Sequence, residues 1–206
     1  MKRKTKSRPR KTPVAESWSR VAADFGGETF WGKSKKEPDR LDVPHRVWRI
    51  VTDIHVQSHG EGSTTYTRVR ALFVRTQPFR LTVTKRNPFH SLGVLFGYRA
   101  VPIGYSQLEK ALFVRSDRAD LTRSMLRGTA LGQGMMREPV KLSVARPGRP
   151  IRKIAGDTVG EVQILKRGKV HDVSELRELV QTCMWTLDEL DRLGVADDTP
   201  VEGVAL

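Results

Sequence analysis

The chain has 206 residues, 38% of them apolar, which is sufficient for one folded domain with a hydrophobic core. Its formal net charge of +14 and its pI near 10.4 favour anionic partners, namely nucleic acid, acidic lipid headgroups or an acidic protein surface. The single cysteine, Cys183, excludes an internal disulfide, and no apolar run approaches the ~20 residues that span a bilayer.

Residues 1–13, MKRKTKSRPRKTP, are predicted to form a basic arm that is disordered or ordered by a partner. They contain seven Lys and Arg, no acid and no large apolar side chain, so they cannot bury enough surface to offset the entropy of ordering. A block of one charge is typical of an interaction tail, and the alternative is that it only aids solubility. The cations of the arm are the first candidates for contact with an anionic surface: Lys2, Arg3, Lys4, Lys6, Arg8, Arg10 and Lys11.

Residues 14–44 are predicted to form a short amphipathic helix followed by a linker. The apolar residues at helical spacing are Val14, Trp18, Val21, Ala22 and Phe25. Gly26-Gly27 then ends the helix. Such a helix either packs on its own domain or lies on a membrane or partner surface, which Trp18 and Phe25 would contact.

The linker is indicated by Pro38, Pro44 and a run of charged residues between 33 and 40. Its lysines follow Phe30 and Trp31, and cations with aromatic neighbours can bind an anionic surface or stack on bases. Three lysines therefore join the candidate contact residues: Lys33, Lys35 and Lys36.

A sheet is predicted from residue 45 onward, beginning with a strand over residues 46–57. The stretch Thr64–Arg86 also alternates and is interrupted by Thr76-Gln77-Pro78, which predicts a β-hairpin. One phase of the hairpin is apolar: Val69, Ala71, Phe73, Phe79, Leu81 and Val83. The other phase is basic, which provides either a second contact surface or a solvated face that prevents aggregation. This secondary basic face, with the residues after it, comprises Arg68, Arg70, Arg80, Lys85 and Arg86.

Further elements follow the hairpin. The apolar stretch 87–98 is expected to enter the core or to form a docking patch. The pentapeptide Ala71–Arg75 recurs at Ala111–Arg115, which predicts two strands under similar packing demands. The remaining pattern predicts a short helix over 119–126 and strands at 140–144, 151–154 and 159–165.

The last predicted element is a helix over residues 173–193. Asp172-Val-Ser-Glu175 has the composition of a capping box, and an apolar stripe continues until Gly194. Cys183 lies on this stripe, as is typical of an inert buried thiol. The sign of the net charge reverses in this part of the chain, since residues 170–206 carry nine acidic and two basic side chains. Residues 195–206 are predicted to form an acidic tail.

These elements predict an α+β fold. Strands joined mainly by turns, with helices at both ends, favour a mostly antiparallel sheet of about six or seven strands backed by the long C-terminal helix. The α+β domain is expected to span residues 45–194.

Several segments together resemble a family of bacterial proteins that has no assigned activity. They are Val47–Ile50, Tyr66–Ala71, Ile103-Gly104 with Leu108–Val114, and the Leu-rich helix after Gly168-Lys169-Val170. Members of the family show a YTRxRA strand and a GxxFDxxF segment, and Leu108-Glu109 replaces the usual Phe-Asp in this chain. The resemblance covers most of residues 45–194 but not the arm. It implies a shared fold and no catalytic residues.

No motif for catalysis, a metal or a cofactor is found in the sequence. The five histidines include no H-x-x-x-H or H-E-x-x-H arrangement, and Gly132-Gln133-Gly134 lacks the remaining residues of a phosphate-binding loop. Ser174 lies near His171 and Asp172, but capping of the last helix explains these residues more simply than a catalytic triad does. No small-molecule substrate is indicated.

The sequence therefore predicts a non-catalytic interaction protein. We expect an accessory or scaffolding subunit that docks, through its arm, on an anionic surface of a larger protein assembly or membrane. The alternative is a nucleic-acid-binding protein that uses the arm and the arginine-rich sheet face, and an enzyme of unfamiliar type is a third class. A basic N-terminus without an apolar segment behind it predicts a cytoplasmic protein, or one peripheral to the inner face of a membrane.

Overall fold

The computed structural model describes residues 12–32, 38–60, 62–86, 100–204 and 206. Within these ranges nine strands form a single antiparallel sheet. The strands are Glu28–Phe30 (β1), Arg40–His45 (β2), Trp48–His59 (β3), Gly62–Arg75 (β4), Leu81–Lys85 (β5), Leu112–Ser116 (β6), Lys141–Ala145 (β7), Val159–Arg167 (β8) and Ala196–Asp197 (β9). Their order is β1-β2-β3-β4-β8-β7-β5-β6, and β9 pairs with β4.

Six helices accompany the sheet in the described part of the chain. They are Pro13–Asp24 (α1), Ser106–Ala111 (α2), Ala119–Leu126 (α3), Ala130–Arg137 (α4), Arg149–Ala155 (α5) and Val173–Arg192 (α6). Helix α6 packs across β3, β4 and β8, with α1 and α4 beside it, so that the core lies between these helices and one face of the sheet. The predicted α+β fold with a long C-terminal helix is thereby confirmed. No helix in the described ranges has the length and apolar character needed to cross a membrane.

Helix α1 is fixed to the body through its apolar side. The Thr12 hydroxyl accepts a hydrogen bond from the Ala15 N–H at 3.2 Å and caps the helix, and Ser17 donates to the His171 carbonyl. Trp18 is fully buried and stacks on Trp31 with ring centroids 6.3 Å apart. The predicted docking role of Trp18 is therefore incompatible with this packing, because its ring belongs to the core.

Phe25, the other predicted docking residue, is half-buried at the end of α1. It packs against the same core cluster as the rest of the helix. The amphipathic pattern of residues 14–25 is thus explained by packing within the domain, and the membrane alternative for this helix has no exposed apolar side to support it.

Part of the predicted linker is a strand. Leu41 and Val43 of β2 are fully buried, and β2 pairs with β3 over its whole length. Pro44 lies beyond the residues of β2 that pair with β1, where the strand has a free edge that tolerates proline. The proline and the neighbouring charges suggested a linker because β2 has only two buried apolar residues, Leu41 and Val43, which is too short an alternation to predict a strand.

The predicted hairpin between Thr64 and Arg86 is wrong in its pairing. Strand β4 pairs with β3 and β8, whereas β5 pairs with β6 and β7, so two strands separate β4 from β5. The assignment of faces is confirmed, because the six apolar residues are all buried: Val69, Ala71, Phe73, Phe79, Leu81 and Val83. Alternation determines the face on which a residue lies, but not the strand that lies beside it.

Two other strand predictions need correction. Residues 151–154 lie in helix α5, since Ile151 and Ile154 are spaced by three residues and Pro150 occupies the first turn, where proline is tolerated. The repeated pentapeptide occupies opposite phases, because Phe73 belongs to the main core cluster whereas its counterpart Phe113 does not. The two copies therefore meet different packing demands.

Helix α6 begins and ends as the sequence predicts. Asp172 Oδ1 accepts a hydrogen bond from the Glu175 N–H at 2.8 Å, while the Glu175 carboxylate pairs with Lys166 at 2.7 Å and does not return to the cap. After the helix, Val195 and Ala196 are buried and β9 pairs with the end of β4. The start of the predicted acidic tail is therefore docked on the sheet.

Substitution of Gly160 tests the packing between β4 and β8. A Cβ added there would lie 2.4 Å from Phe73 Cζ and 2.8 Å from Arg75 Cγ. We expect Gly160→Ala to lower the free energy of unfolding by about 2 kcal/mol, because the buried ring must move. The control is Gly62→Ala, where an added Cβ would lie 3.9 Å from the His59 carbonyl oxygen and the expected change is below about 0.5 kcal/mol. Urea unfolding measures both, and equal losses would contradict the assigned packing.

Candidate functional site

The face of the sheet opposite α6 carries an ion cluster, formed by Asp53 of β3, Arg68 and Arg70 of β4, and Glu161 of β8. Arg68 donates to both carboxylate oxygens of Asp53, with Nε–Oδ1 at 2.8 Å and Nη2–Oδ2 at 2.6 Å. Arg70 Nη2 lies 3.3 Å from Asp53 Oδ2, and Arg70 Nη1 lies 4.0 Å from Glu161 Oε1. Two arginines thus share two carboxylates across three strands.

Strand register explains why these residues meet. Asp53 is directly opposite Arg68 in the β3–β4 pair, and Glu161 is opposite Leu72, which places it diagonal to Arg70. Opposite and diagonal side chains on one face are close enough to form ion pairs. The cluster therefore follows from the pairing of β3, β4 and β8.

The ion cluster is shielded from solvent. Only 6% of the Asp53 side chain and 12 to 16% of the other three are exposed. Burial raises the pKa of Glu161, although Arg70 opposes this shift, and burial lowers the pKa of Arg70. The pKa of the neighbouring His55 is lowered, first by burial and then by Arg68.

This arrangement changes the interpretation of the predicted basic face. Arg68 and Arg70 direct their guanidinium groups to internal carboxylates, so they are engaged within the fold. Arg80, Lys85 and Arg86 are exposed on or beside β5, which two strands separate from β4. The five predicted residues therefore do not form one continuous surface.

Residues 1–11 of the predicted arm lie outside the described residues, as do Lys33, Lys35 and Lys36, whereas Thr12 and Pro13 belong to the start of α1. The point at which the arm joins the body is nevertheless defined by α1 and the start of α6. A cleft of about 500 Å³ lies there. Its lining includes the cations Arg20 and Arg177, of which Arg177 pairs with Asp24.

A basic segment between β7 and β8, residues 146–158, was not predicted as a contact surface from the sequence and is here called the β7–β8 loop. It contains α5 and four cations within eight residues, RPGRPIRK, before its first acid at Asp157. Burial lowers the pKa of Arg75, and Arg146 and Arg80 lower it further, which places these three cations near one another. The density of cations was visible in the sequence, but assignment of residues 151–154 to a strand hid their common location.

Asp157 is the acid of the loop, and it contacts two of these cations. Arg146 Nη1 lies 3.6 Å from Asp157 Oδ1, and Arg75 Nη2 donates to the Asp157 carbonyl. The side chains of Arg146 and Asp157 are 42% and 73% exposed, so this ion pair holds the loop only weakly. The β7–β8 loop consequently retains a strong positive charge.

The described residues offer little for catalysis. Among them, no group of three or more His, Cys, Asp or Glu side chains is arranged to hold a metal ion. Cys183 is fully buried, and burial raises the pKa of its thiol far above the usual range. Asp172 is engaged as the cap of α6.

Comparisons with protein-family models, with curated proteins and with solved structures each found no match to this chain. No residue role can therefore be carried over from a relative, and the proposals below depend on charge and geometry.

A prediction about stability follows from the ion cluster. We expect Asp53→Asn to lower the free energy of unfolding by about 3 kcal/mol, because Arg68 and Arg70 would lose their shared buried counter-ion. The matched control is Asp24→Asn at the exposed Asp24–Arg177 pair, with an expected loss below about 1 kcal/mol. Urea denaturation measures both, and a loss at Asp53 no greater than the control would show that the cluster is not stabilising.

A second prediction concerns pH. The pKa of Glu161 in the folded protein lies above its ordinary value of 4.5. The folded state therefore retains the carboxyl proton of Glu161 as pH rises past that value, whereas the unfolded state loses it. The contribution of Glu161 to stability is therefore complete below pH 4.5 and is lost as pH rises through the folded pKa. The Glu161→Gln variant cannot titrate at this position. Relative to it, the free energy of unfolding of the wild type should fall as pH rises across that window. Chemical unfolding at a series of pH values tests this, and a difference that stays constant or grows in favour of the wild type would contradict it.

Proposed function

We propose that the protein is a non-catalytic interaction protein, an accessory or scaffolding subunit that docks on an anionic surface of a larger assembly through its basic arm. The observation that carries this proposal is the distribution of charge. The arm holds seven Lys and Arg and no acid, which equals half of the net charge of +14. It is the densest block of cations in the chain, and such a block is typical of an interaction tail.

The folded body supports this proposal in two ways. Arg68 and Arg70, which were the competing candidates, form internal ion pairs with Asp53 and Glu161. The arm joins the body at α1, whose cap at Thr12 and buried Trp18 fix the position from which the arm extends. A basic segment attached to a folded domain can contact an anionic surface through charge alone, without a preformed pocket.

Nucleic acid is the alternative anionic partner. The arm is suited to phosphates in general, but the arginine-rich sheet face that would have assisted it is occupied by carboxylates. The proposal therefore favours docking in an assembly at a membrane surface, and nucleic-acid binding is an outcome that the experiment distinguishes.

The experiment neutralises the arm without shortening it. A variant with all seven cations changed to Gln keeps the length of the arm and leaves Thr12 in place as the cap of α1. We expect its affinity for vesicles containing anionic lipid to fall at least about 100-fold at low salt, since each basic residue near such a surface contributes about 1 kcal/mol. Sedimentation with vesicles measures the affinity, and wild-type binding should weaken steeply as salt increases.

Vesicles of neutral lipid and duplex and single-stranded nucleic acid are the comparison ligands. Binding to anionic vesicles that does not change when the arm is neutralised would refute the role of the arm. Binding of the wild type to nucleic acid but not to anionic vesicles would favour the alternative function. Loss of vesicle binding in the variant, with an unchanged thermal unfolding curve, supports the proposal.

A further inference from the structure

Helix α5, within the β7–β8 loop, is amphipathic, and its apolar side is only partly covered, since Ile151 is half-buried and Ile154 is exposed. Arg149, Arg152 and Lys153 recur at spacings of three and four, so they share one side of the helix. Pro150, Ile151 and Ile154 share another side by the same rule. No residue of α5 is buried, whereas each of the other five described helices buries at least one side chain.

Ile154 is the clearest sign of an unused apolar surface. Its side chain is 70% exposed, the largest exposure among the large hydrophobic residues in the described ranges, ahead of Val56 at 55% and Tyr105 at 39%. A single exposed isoleucine is ordinary on a protein surface. Here it adjoins Arg152 and Lys153 on a loop that projects past the end of the sheet, next to Arg75, Arg80 and Arg146.

We propose that the β7–β8 loop is a membrane-contact site for a bilayer rich in anionic lipid. The cations of the loop bind lipid phosphate and carboxylate groups, and Ile154, with Ile151 behind it, enters the boundary between headgroups and acyl chains. This inference rests on the proposed function and names its anionic surface as lipid.

Lipid fits this combination better than nucleic acid does. A phosphate backbone would use the cations but would leave Ile154 in water, whereas the headgroup boundary accommodates both charge and an apolar side chain. A helix of two turns buries too little apolar surface to hold the protein by itself. The loop is therefore a second contact that acts together with the arm.

The β7–β8 loop and the point where the arm joins the body lie at different ends of the molecule. The arm joins the body near His171, at the start of α6. The β7–β8 loop adjoins Arg75 at the end of β4. The next residue, Thr76, donates a backbone hydrogen bond to Val195, which lies beyond the end of α6. Helix α6 has 20 residues and a length of about 30 Å. Since sites so far apart act independently, the effects of variants in the arm and in the loop should be additive.

The experiment places an environment-sensitive fluorophore at the tip of the loop. Ile154→Cys is labelled in the full-length protein with a nitrobenzoxadiazole thiol reagent, and Cys183 does not compete because it is fully buried with a raised pKa. We expect a blue shift and at least about a twofold rise in emission on vesicles that contain phosphatidylserine, but not on phosphatidylcholine alone. The control is Val56→Cys, an exposed apolar position on β3 near the opposite end of the sheet.

Unlabelled variants separate apolar insertion from charge. Ile154→Ser should weaken binding to the anionic vesicles about fivefold to tenfold, through loss of the buried side chain. Arg149→Gln with Lys153→Gln should weaken it about 20-fold at low salt. The matched double variant Lys110→Gln with Lys141→Gln removes equal charge from exposed positions elsewhere and should have a much smaller effect. Because α5 buries no residue, the loop variants should keep the thermal unfolding curve of the wild type.

The outcomes distinguish this inference from the proposed function. In one outcome, neutralising the arm abolishes vesicle binding, but the label at position 154 stays in an aqueous environment and Ile154→Ser binds as tightly as the wild type. This outcome refutes the loop inference and leaves the role of the arm intact. If the label shifts while the arm variant binds as tightly as the wild type, the loop inference stands alone. A label that responds to duplex DNA and not to vesicles refutes the lipid assignment.

Discussion

The pairing of β4 with β8 is the interaction on which the rest of the structure depends. β4 forms ladders with β3 on one side and with β8 on the other, and its last residues also pair with β9. Because β8 follows β4 only after β5, β6 and β7 in the chain, this contact closes a long loop and its entropic cost must be offset by apolar burial. Gly160 of β8 allows the fit, since the ring of Phe73 fills the space of its missing side chain.

Periodicity in the sequence predicted much of this sheet but not its connectivity. Val69 and Leu81 were assigned to the core face from alternation, and both are buried there. Alternation has a period of two residues whichever strand is the neighbour, so it carries no information on whether β5 or β8 lies beside β4. The long helix α6 was predictable because its cap at Asp172 and its apolar stripe are both local signals.

The ion cluster could not be predicted for the same reason. Arg68 and Arg70 were visible as cations on one phase of a strand, but Asp53 and Glu161 reach them only through the register of β3 and β8. Counting charges along the chain therefore overestimated the free positive charge on the sheet. The error at residues 151–154 is of another kind, because two isoleucines spaced by three residues are too few to separate a helical turn from a short strand.

Topology also determines where positive charge stays available for a partner. Arg68 and Arg70, in the middle of the sheet, have carboxylates opposite or diagonal to them and are shielded from water, so binding an external anion there would require breaking internal ion pairs. The β7–β8 loop lies beyond the last ladder residues, where no strand is opposite it, and Asp157 offsets only part of its charge. The counter-ions of Arg68 and Arg70 are supplied by neighbouring strands, whereas the cations of the β7–β8 loop have no strand of the described part of the chain beside them to supply one.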